Sequence, residues 1–355
     1  MNEYKGKLHE TVCRFPSTDI WNDSCAKKEL EYALERGAVG ATTNPIIVAD
    51  VIRQEMDIWA DIIKKLVVDM PDATEDDITW KLIEIIGEER SKMLLPIFEK
   101  YKGKKGRLSM QTNPKFYRNT EAMVAQAVHF NTLAKNMQVK IPASEAGIKA
   151  IEEATYQGVS INATVSFTLS QAIAVAEAVE RGLKRRVDEN LPIDEMAPIC
   201  TIMIGRTDDW LKSYCSSNDV VVNPECLEWA GVAIFKKAYK IFTDRGYHTR
   251  LLTAAYRNHY HWSALIGGEC SMTIPHAWQV KINESSVEVA NTMDIPVKKE
   301  YLDELYKLPE FVKAYKEDGL KPEEFVHYGA FKATIKKFIE GYAGLLETIR
   351  AAMIN

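Results

Sequence analysis

This sequence predicts an α/β fold of the (β/α)8 TIM-barrel type, on three observations. Eight short apolar runs alternate with long helical patterns, and strand–helix alternation implies a parallel sheet. Eight such units over about 280 residues fit a barrel, which typically takes about 250. An open doubly wound sheet is the alternative, but no GxGxxG follows the first strand, which weakens a dinucleotide-binding reading.

In chain order the predicted strands are 19–23 (DIWND), 39–44 (VGATTN), 107–111 (RLSMQ) and 139–143 (VKIPA), then 160–167 (SINATVSF), 199–205 (ICTIMIG), 250–255 (RLLTAA) and 270–275 (CSMTIP). Between them, segments 27–36, 120–136, 144–156, 168–182 and 225–245 carry apolar residues at three- and four-residue spacing, the helical period. Residues 51–102 read as a pair of long amphipathic helices between the second and third strands, and residues 281–355 add further helix, ending FKATIKKFIEGYAGLLETIRAAM. The expected organisation is one domain over 1–355, with a barrel core of 17–290, a helical insertion at 51–102 and a C-terminal helical extension at 291–355.

The 355 residues carry 45 Lys+Arg against 50 Asp+Glu, a formal charge of −5, with a pI near 5.9. That balance argues against a nucleic-acid partner, whose footprint is a basic excess. No run approaches the roughly 18 apolar residues of a membrane span, and the opening MNEYKGKLHETVCRF lacks the apolar core of a signal peptide. The six cysteines form no CxxC pair and no zinc-ligand spacing, so the expectation is a cytoplasmic protein with reduced thiols. A chain of this size buries enough surface to need no disulfide or metal staple. It is compatible with a homo-oligomer.

Barrel chemistry sits at the carboxyl ends of the strands. Polar residues there are Asp23, Asn44, Gln111, Lys140, Asn162, Thr164, Thr201 and Arg206. Lys140 lies between Val139 and Ile141, so strand alternation puts it on the opposite face from both. If that face is the barrel interior, desolvation lowers the amine's pKa, and a neutral buried amine can form a Schiff base with a carbonyl. The alternative is a lysine reaching water from a strand end.

Asp23 can act as a general base, or, with Ser24, can cap the helix beginning near Ala26. Asn44 before Pro45 has the same ambiguity. Asn162 and Thr164 share one face of the fifth strand, beside Lys140. Their partners are either a polyhydroxylated substrate or neighbouring side chains. Arg206 and Arg257 each follow a late strand, where barrels frequently bind phosphate, and together form an anion clamp; each alone reads as a surface ion-pair residue. His259 and His261 lack a third metal ligand at useful spacing. The run Lys184, Arg185, Arg186 reads as solvated surface on the face away from the chemistry, and the tail's aromatics as core packing.

The segments IWNDSCAKKELEYALERGAVGATTNP, GRLSMQTNPKFYRNTEA, VKIPASEAGIKAIEEATYQGVSINATVSFTLSQA and IGRTDDW resemble the transaldolase family, in order from about Asp19 to Ile274. The resemblance implies the (β/α)8 fold and a class I mechanism with no metal and no cofactor. It also implies a sugar-phosphate donor, fructose 6-phosphate or sedoheptulose 7-phosphate, and an aldose-phosphate acceptor for the transferred dihydroxyacetone unit. Lys140 then matches the family's Schiff-base lysine, and Asp23 the aspartate that takes the C4 hydroxyl proton as the C3–C4 bond breaks. Asn44 and Asn162 match asparagines holding the donor's hydroxyls, Thr164 a threonine holding a water, and Arg206 and Arg257 the phosphate-binding arginines.

Three departures stand out. Gln111 occupies the position of a glutamate that shuttles protons through that water, and an amide cannot titrate there. A glutamine is similar to the fructose 6-phosphate aldolase branch, which releases dihydroxyacetone, yet that branch carries a tyrosine where this chain has Met203. Thr201 replaces a serine five residues before Arg206. The expectation is a transaldolase-type transferase. The alternatives are an aldolase that releases its three-carbon product and a non-catalytic sugar-phosphate binder.

Overall fold

The computed structural model describes residues 4–354; residues 1–3 of the opening segment and Asn355 at the end of the extension lie outside it. Eight parallel strands close into a barrel in chain order: β1 (Asp19–Asn22), β2 (Gly40–Thr42), β3 (Arg107–Gln111), β4 (Met137–Pro142), β5 (Ile161–Ser166), β6 (Ile199–Ile202), β7 (Arg250–Thr253) and β8 (Ser271–Ile274). Closure is made by β1 against β8, with Asp19 opposite Ser271 and Asn22 opposite Ile274. Every predicted strand is present. The outward positions are apolar where they meet the surrounding helices, as with Leu108, Met110, Val139, Ile141, Ile161 and Ala163, all buried.

The interior is unusually polar for a barrel core. There, Ser109 Oγ donates to Gln138 Oε1 (2.5 Å), Asn162 Nδ2 donates to Ser109 Oγ (3.1 Å) and Thr201 Oγ1 donates to Asn162 Oδ1 (2.6 Å). Each polar group finds its partner on a neighbouring strand, which is the condition for burying it.

The predicted insertion is corrected in one respect. It holds three helices instead of two, Pro45–Gln54, Met56–Asp69 and Glu75–Lys100, and begins at Pro45, directly after β2. The reason is local. Asn44 caps the first helix by accepting from the Ile46 and Ile47 N–H groups, and Pro45 supplies the preset φ of a first helical position. Glu55 marks the break between the first two helices. Its buried carboxylate accepts from the Lys27 N–H (2.6 Å), from Trp59 Nε1 (2.9 Å) and from the Arg90 guanidinium, tying the insertion to the helix after β1.

The sixth strand is also shorter than predicted. It ends at Ile202, and a helix over Ile204–Ser217 begins at once, so Arg206 lies in the first turn of a helix. The predicted 225–245 helix is split into Pro224–Leu227 and Ala230–Arg245. Arg186 is buried rather than solvated: its guanidinium donates to the carbonyls of Tyr156 (2.7 Å) and Pro192 (2.8 Å), satisfying two loop ends. The C-terminal helix, Gly329–Ile354, buries Phe331, Phe338, Tyr342, Leu345 and Ile349, as its aromatic spacing predicts. No helix of the described residues is long and apolar enough to cross a membrane.

Candidate active site

At the carboxyl ends of the strands lies a cleft of about 360 Å3, a size suited to a small ligand. Asp23, Asn44, Lys140, Thr164, Thr201, Met203, Arg206 and Arg257 all line it. Strand order therefore brings together most of the residues singled out from the sequence. The first insertion helix forms one wall through Ile46, Ile47, Asp50, Val51 and Gln54. The C-terminal helix Gly329–Ile354 packs against it and against the other two insertion helices.

Lys140 is 4% exposed. Among the described residues its Nζ makes one hydrogen bond, a long one of 3.3 Å to the Thr43 carbonyl, and no ion pair. Burial pushes the amine down to about 8; the nearby Asp23 carboxylate opposes that shift, and the Arg206 guanidinium adds to it. A substantial fraction is therefore neutral at physiological pH, which is the nucleophilic form.

Asp23 does not cap a helix. The helix after β1 starts at Lys27 with no side-chain cap, and Ser24 Oγ accepts from the Ala26 N–H instead (3.1 Å). The Asp23 carboxylate accepts from Thr42 Oγ1 (2.7 Å), which also bonds Thr273 Oγ1 (2.6 Å). Burial raises its pKa; Lys140, the Thr42 hydrogen bond and Arg206 hold it back. A carboxylate made more basic in this way, on the same cleft as a neutral amine, suits proton abstraction from a hydroxyl.

Both arginines reach the cleft, but they differ. The Arg206 guanidinium makes no hydrogen bond or ion pair among the described residues; it stands over the Phe338 ring, 5.5 Å to the centroid. Burial and the neighbouring Arg257 lower its pKa. Arg257 is held by Asp209 of the GRTDDW run through Nε (3.0 Å) and Nη2 (2.8 Å), and its Nη1 donates to the Tyr256 carbonyl (2.9 Å). Gly205 is what lets the two loops meet. A Cβ there would sit 1.7 Å from the Ala255 carbonyl oxygen and 2.9 Å from Arg257 Cγ. Ala255 itself has φ +67, and Val165, beside Thr164, has φ +52 where the β5–β6 register shifts. Such backbone costs about 1–3 kcal/mol per residue, and two of the five non-glycine residues with positive φ among the described residues lie at these strand ends.

Two predicted residues do not line the cleft. Asn162 is paired with Lys140 in the β4–β5 register, but its amide is already taken by Ser109 and Thr201. Gln111 is paired with Lys140 in the β3–β4 register but faces a cavity of only about 10 Å3, with Thr43, Asn44, Trp80, Ile83 and Met110. Neither its Oε1 nor its Nε2 has a partner among the described residues. Asn44 borders both spaces; its oxygen is committed to the helix cap, which leaves its Nδ2 for a ligand. Thr164 Oγ1 approaches Met203 Sδ at 4.0 Å.

His259 and His261 do not share a site. His261 is fully buried against Asp208, whereas His259 meets Ser263. His276, one residue beyond the predicted end of the eighth strand at Pro275, also lines the cleft. The strand-end rule extended by one residue finds it.

A closed parallel barrel whose carboxyl-end cleft joins a buried lysine, a carboxylate and an unpaired arginine defines a narrow class of protein. The family model for transaldolase/fructose-6-phosphate aldolase matches residues 20–349. The chain belongs to that family. Among curated relatives it is 29% identical over 244 residues to "Transaldolase 2" of Streptomyces avermitilis, covering 64% of this chain and 63% of the relative. It is 29% identical over 199 residues to "Transaldolase 2" of Streptomyces coelicolor, covering 53% and 52%, and 25% identical over 244 residues to "Transaldolase" of Acidothermus cellulolyticus, covering 64% and 62%. The match thus spans 52 to 63% of these relatives' lengths.

Proposed function

We propose that this chain is a transaldolase-type transferase that moves a dihydroxyacetone unit from a ketose phosphate to an aldose phosphate through a Schiff base on Lys140. The observation that carries the reading is Lys140 itself, buried, without an ion pair and with its pKa lowered to about 8, on one cleft with Asp23. The neutral amine adds to the C2 carbonyl of the donor and, with loss of water, gives the protonated Schiff base. Asp23 takes the C4 hydroxyl proton, and the C3–C4 bond breaks with its electron pair drawn into the iminium, leaving an enamine on Lys140 and releasing the aldehyde. The enamine carbon attacks the acceptor aldehyde, Asp23 returns the proton to the new alkoxide, and water hydrolyses the Schiff base.

Arg206, without a carboxylate partner, is the first contact for the phosphate, and Arg257 the second. Asn44 and Thr201 hold the three-carbon unit, and Thr164 a water. Asn162 acts by fixing the Thr201 hydroxyl. No metal or cofactor takes part in these steps. We place the protein in the cytoplasm, a reading supported by its six unpaired cysteines.

One observation favours a second reading, release rather than transfer. Gln111 cannot titrate, and a glutamine there is similar to the aldolase branch. Met203 speaks against it, since a thioether offers no hydroxyl. Incubation with fructose 6-phosphate, with and without erythrose 4-phosphate, separates the two by product analysis. Transfer predicts sedoheptulose 7-phosphate and glyceraldehyde 3-phosphate only when the acceptor is present. Free dihydroxyacetone formed at the same rate without acceptor would contradict transfer.

A further inference from the structure

Around the cleft the strands present their groups in a fixed order: Asp23 after β1, Asn44 after β2, Lys140 on β4, Arg206 after β6, Arg257 after β7 and His276 after β8. His276 therefore stands between Arg257 and Asp23, across the barrel from Lys140. Adjacency of β1 and β8 is direct there, since the Asp23 N–H donates to the Ile274 carbonyl (3.1 Å). A donor bound as proposed runs from Lys140 at C2, past Asp23 at C4, to the arginines at its phosphate. The sector between Asp23 and the arginines is the half that leaves as the aldehyde.

The imidazole is half-buried and neither ring nitrogen has a hydrogen-bond partner among the described residues; Nδ1 is closed off from solvent, which is costly for an unpaired atom, and Nε2 is the nitrogen left to meet a ligand. Its ring is braced edge-on by Tyr32, 4.8 Å between centroids at 87°. Tyr32 is fixed in turn: its hydroxyl accepts from Asn283 Nδ2 (3.0 Å), and the Arg36 guanidinium lies 3.5 Å over its ring. The histidine is thus held in one orientation on the cleft wall with hydrogen-bonding capacity unspent, the preorganised state of a recognition group.

We propose that His276 is a specificity-determining residue that hydrogen-bonds a hydroxyl of the aldehyde half of the sugar, on the carbons beyond the C3–C4 bond. This rests on the Schiff-base reading above and deepens it. An imidazole both donates and accepts, so it reads a hydroxyl better than an aliphatic chain would. A site built to bond a hydroxyl discriminates strongly against ligands that lack it.

The test compares borohydride trapping by fructose 6-phosphate with trapping by dihydroxyacetone, which lacks the aldehyde half. Both adducts are mapped to Lys140 in the wild type, in His276→Ala and in His276→Asn. Because each protein is compared with itself, poor folding cancels in the ratio. The ratio of the fructose 6-phosphate rate to the dihydroxyacetone rate is expected to fall about tenfold or more in His276→Ala and to recover in part in His276→Asn, which keeps a donor and an acceptor. An unchanged ratio in both variants, with Lys140 still trapped, overturns the role of His276 and leaves the Schiff-base reading standing. No adduct on Lys140 from either ketone in the wild type overturns both.

Discussion

The two mouths of the barrel use the same residue types in opposite ways. Asp19 and Asp23 lie four residues apart at opposite ends of β1. At the amino-terminal mouth Asp19 is paired with Lys105 (2.6 Å) and Arg250 (3.2 Å), and Arg107 spends its guanidinium on the carbonyls of Gly103 (3.0 Å), Met137 (3.1 Å) and Glu195 (2.6 Å). At the carboxyl-terminal mouth Lys140 has one long hydrogen bond, Arg206 has a phenyl ring and Gln111 has nothing. One end pairs its cations with a carboxylate and with backbone carbonyls. At the other, Arg257 is held by Asp209 while Lys140 and Arg206 have no ion pair, a state that costs stability and is retained where a ligand completes it.

Breaking either end should therefore give opposite signatures. The largest effect is expected from Lys140→Met, which removes the proposed nucleophile while keeping the volume. Turnover of fructose 6-phosphate should fall by about 10^4-fold or more in a protein that still folds, assayed with erythrose 4-phosphate as acceptor. Asp19→Ala should do the reverse. It leaves Lys105 and Arg250 without their carboxylate, and urea unfolding should show a loss of about 1–3 kcal/mol, reduced from the fully buried case because both cations are partly exposed. Turnover per folded molecule should stay within about twofold.

An effect of similar size on stability is the most diagnostic. Folding lowers the Lys140 pKa from 10.5 to about 8. Between those values the unfolded chain binds more protons than the native one, so stability rises with pH across that window, and below it the native state carries the full cost of the buried charge. Lys140→Met should accordingly stabilise the protein at pH 7 by about 1–3 kcal/mol, less than the full shift implies because Asp23 loses its neighbour. The gain should shrink from pH 8 upward and be gone near pH 10.5. A gain that did not vary with pH would mean that packing, not charge, was responsible.

Much of this contrast was legible in the sequence. All eight strands followed from alternation, and Lys140, Asp23 and Arg206 from standing at strand ends. The ambiguities that remained were of a kind composition cannot resolve. Asn44 turned out to be a helix cap and a cleft residue together, because its two amide atoms face different tasks. Arg257 looked equivalent to Arg206, and only the fold brings Asp209 back onto one of them. The backbone turn at Val165 left no trace in TVSF, since valine is a poor residue for φ +52 and no local rule would place it there. Asn162 and Gln111 read as site residues because their strand positions are right, while the partners that take up one amide and the cavity that the other faces are three-dimensional properties. In TTNP the strand end and the helix start overlap, so the Asn-Pro cap of the extra helix is masked by the strand pattern that precedes it.

The most direct test of the central claim, that the unsatisfied Lys140 is the nucleophile, is borohydride trapping with fructose 6-phosphate across pH 6–9, followed by peptide mapping. A ketose-derived adduct on Lys140 is expected, with a rate of formation that rises with pH through a midpoint near 8, where half of the amine is neutral. Folded protein that yields no adduct on Lys140 with fructose 6-phosphate or sedoheptulose 7-phosphate at any of these pH values would contradict it.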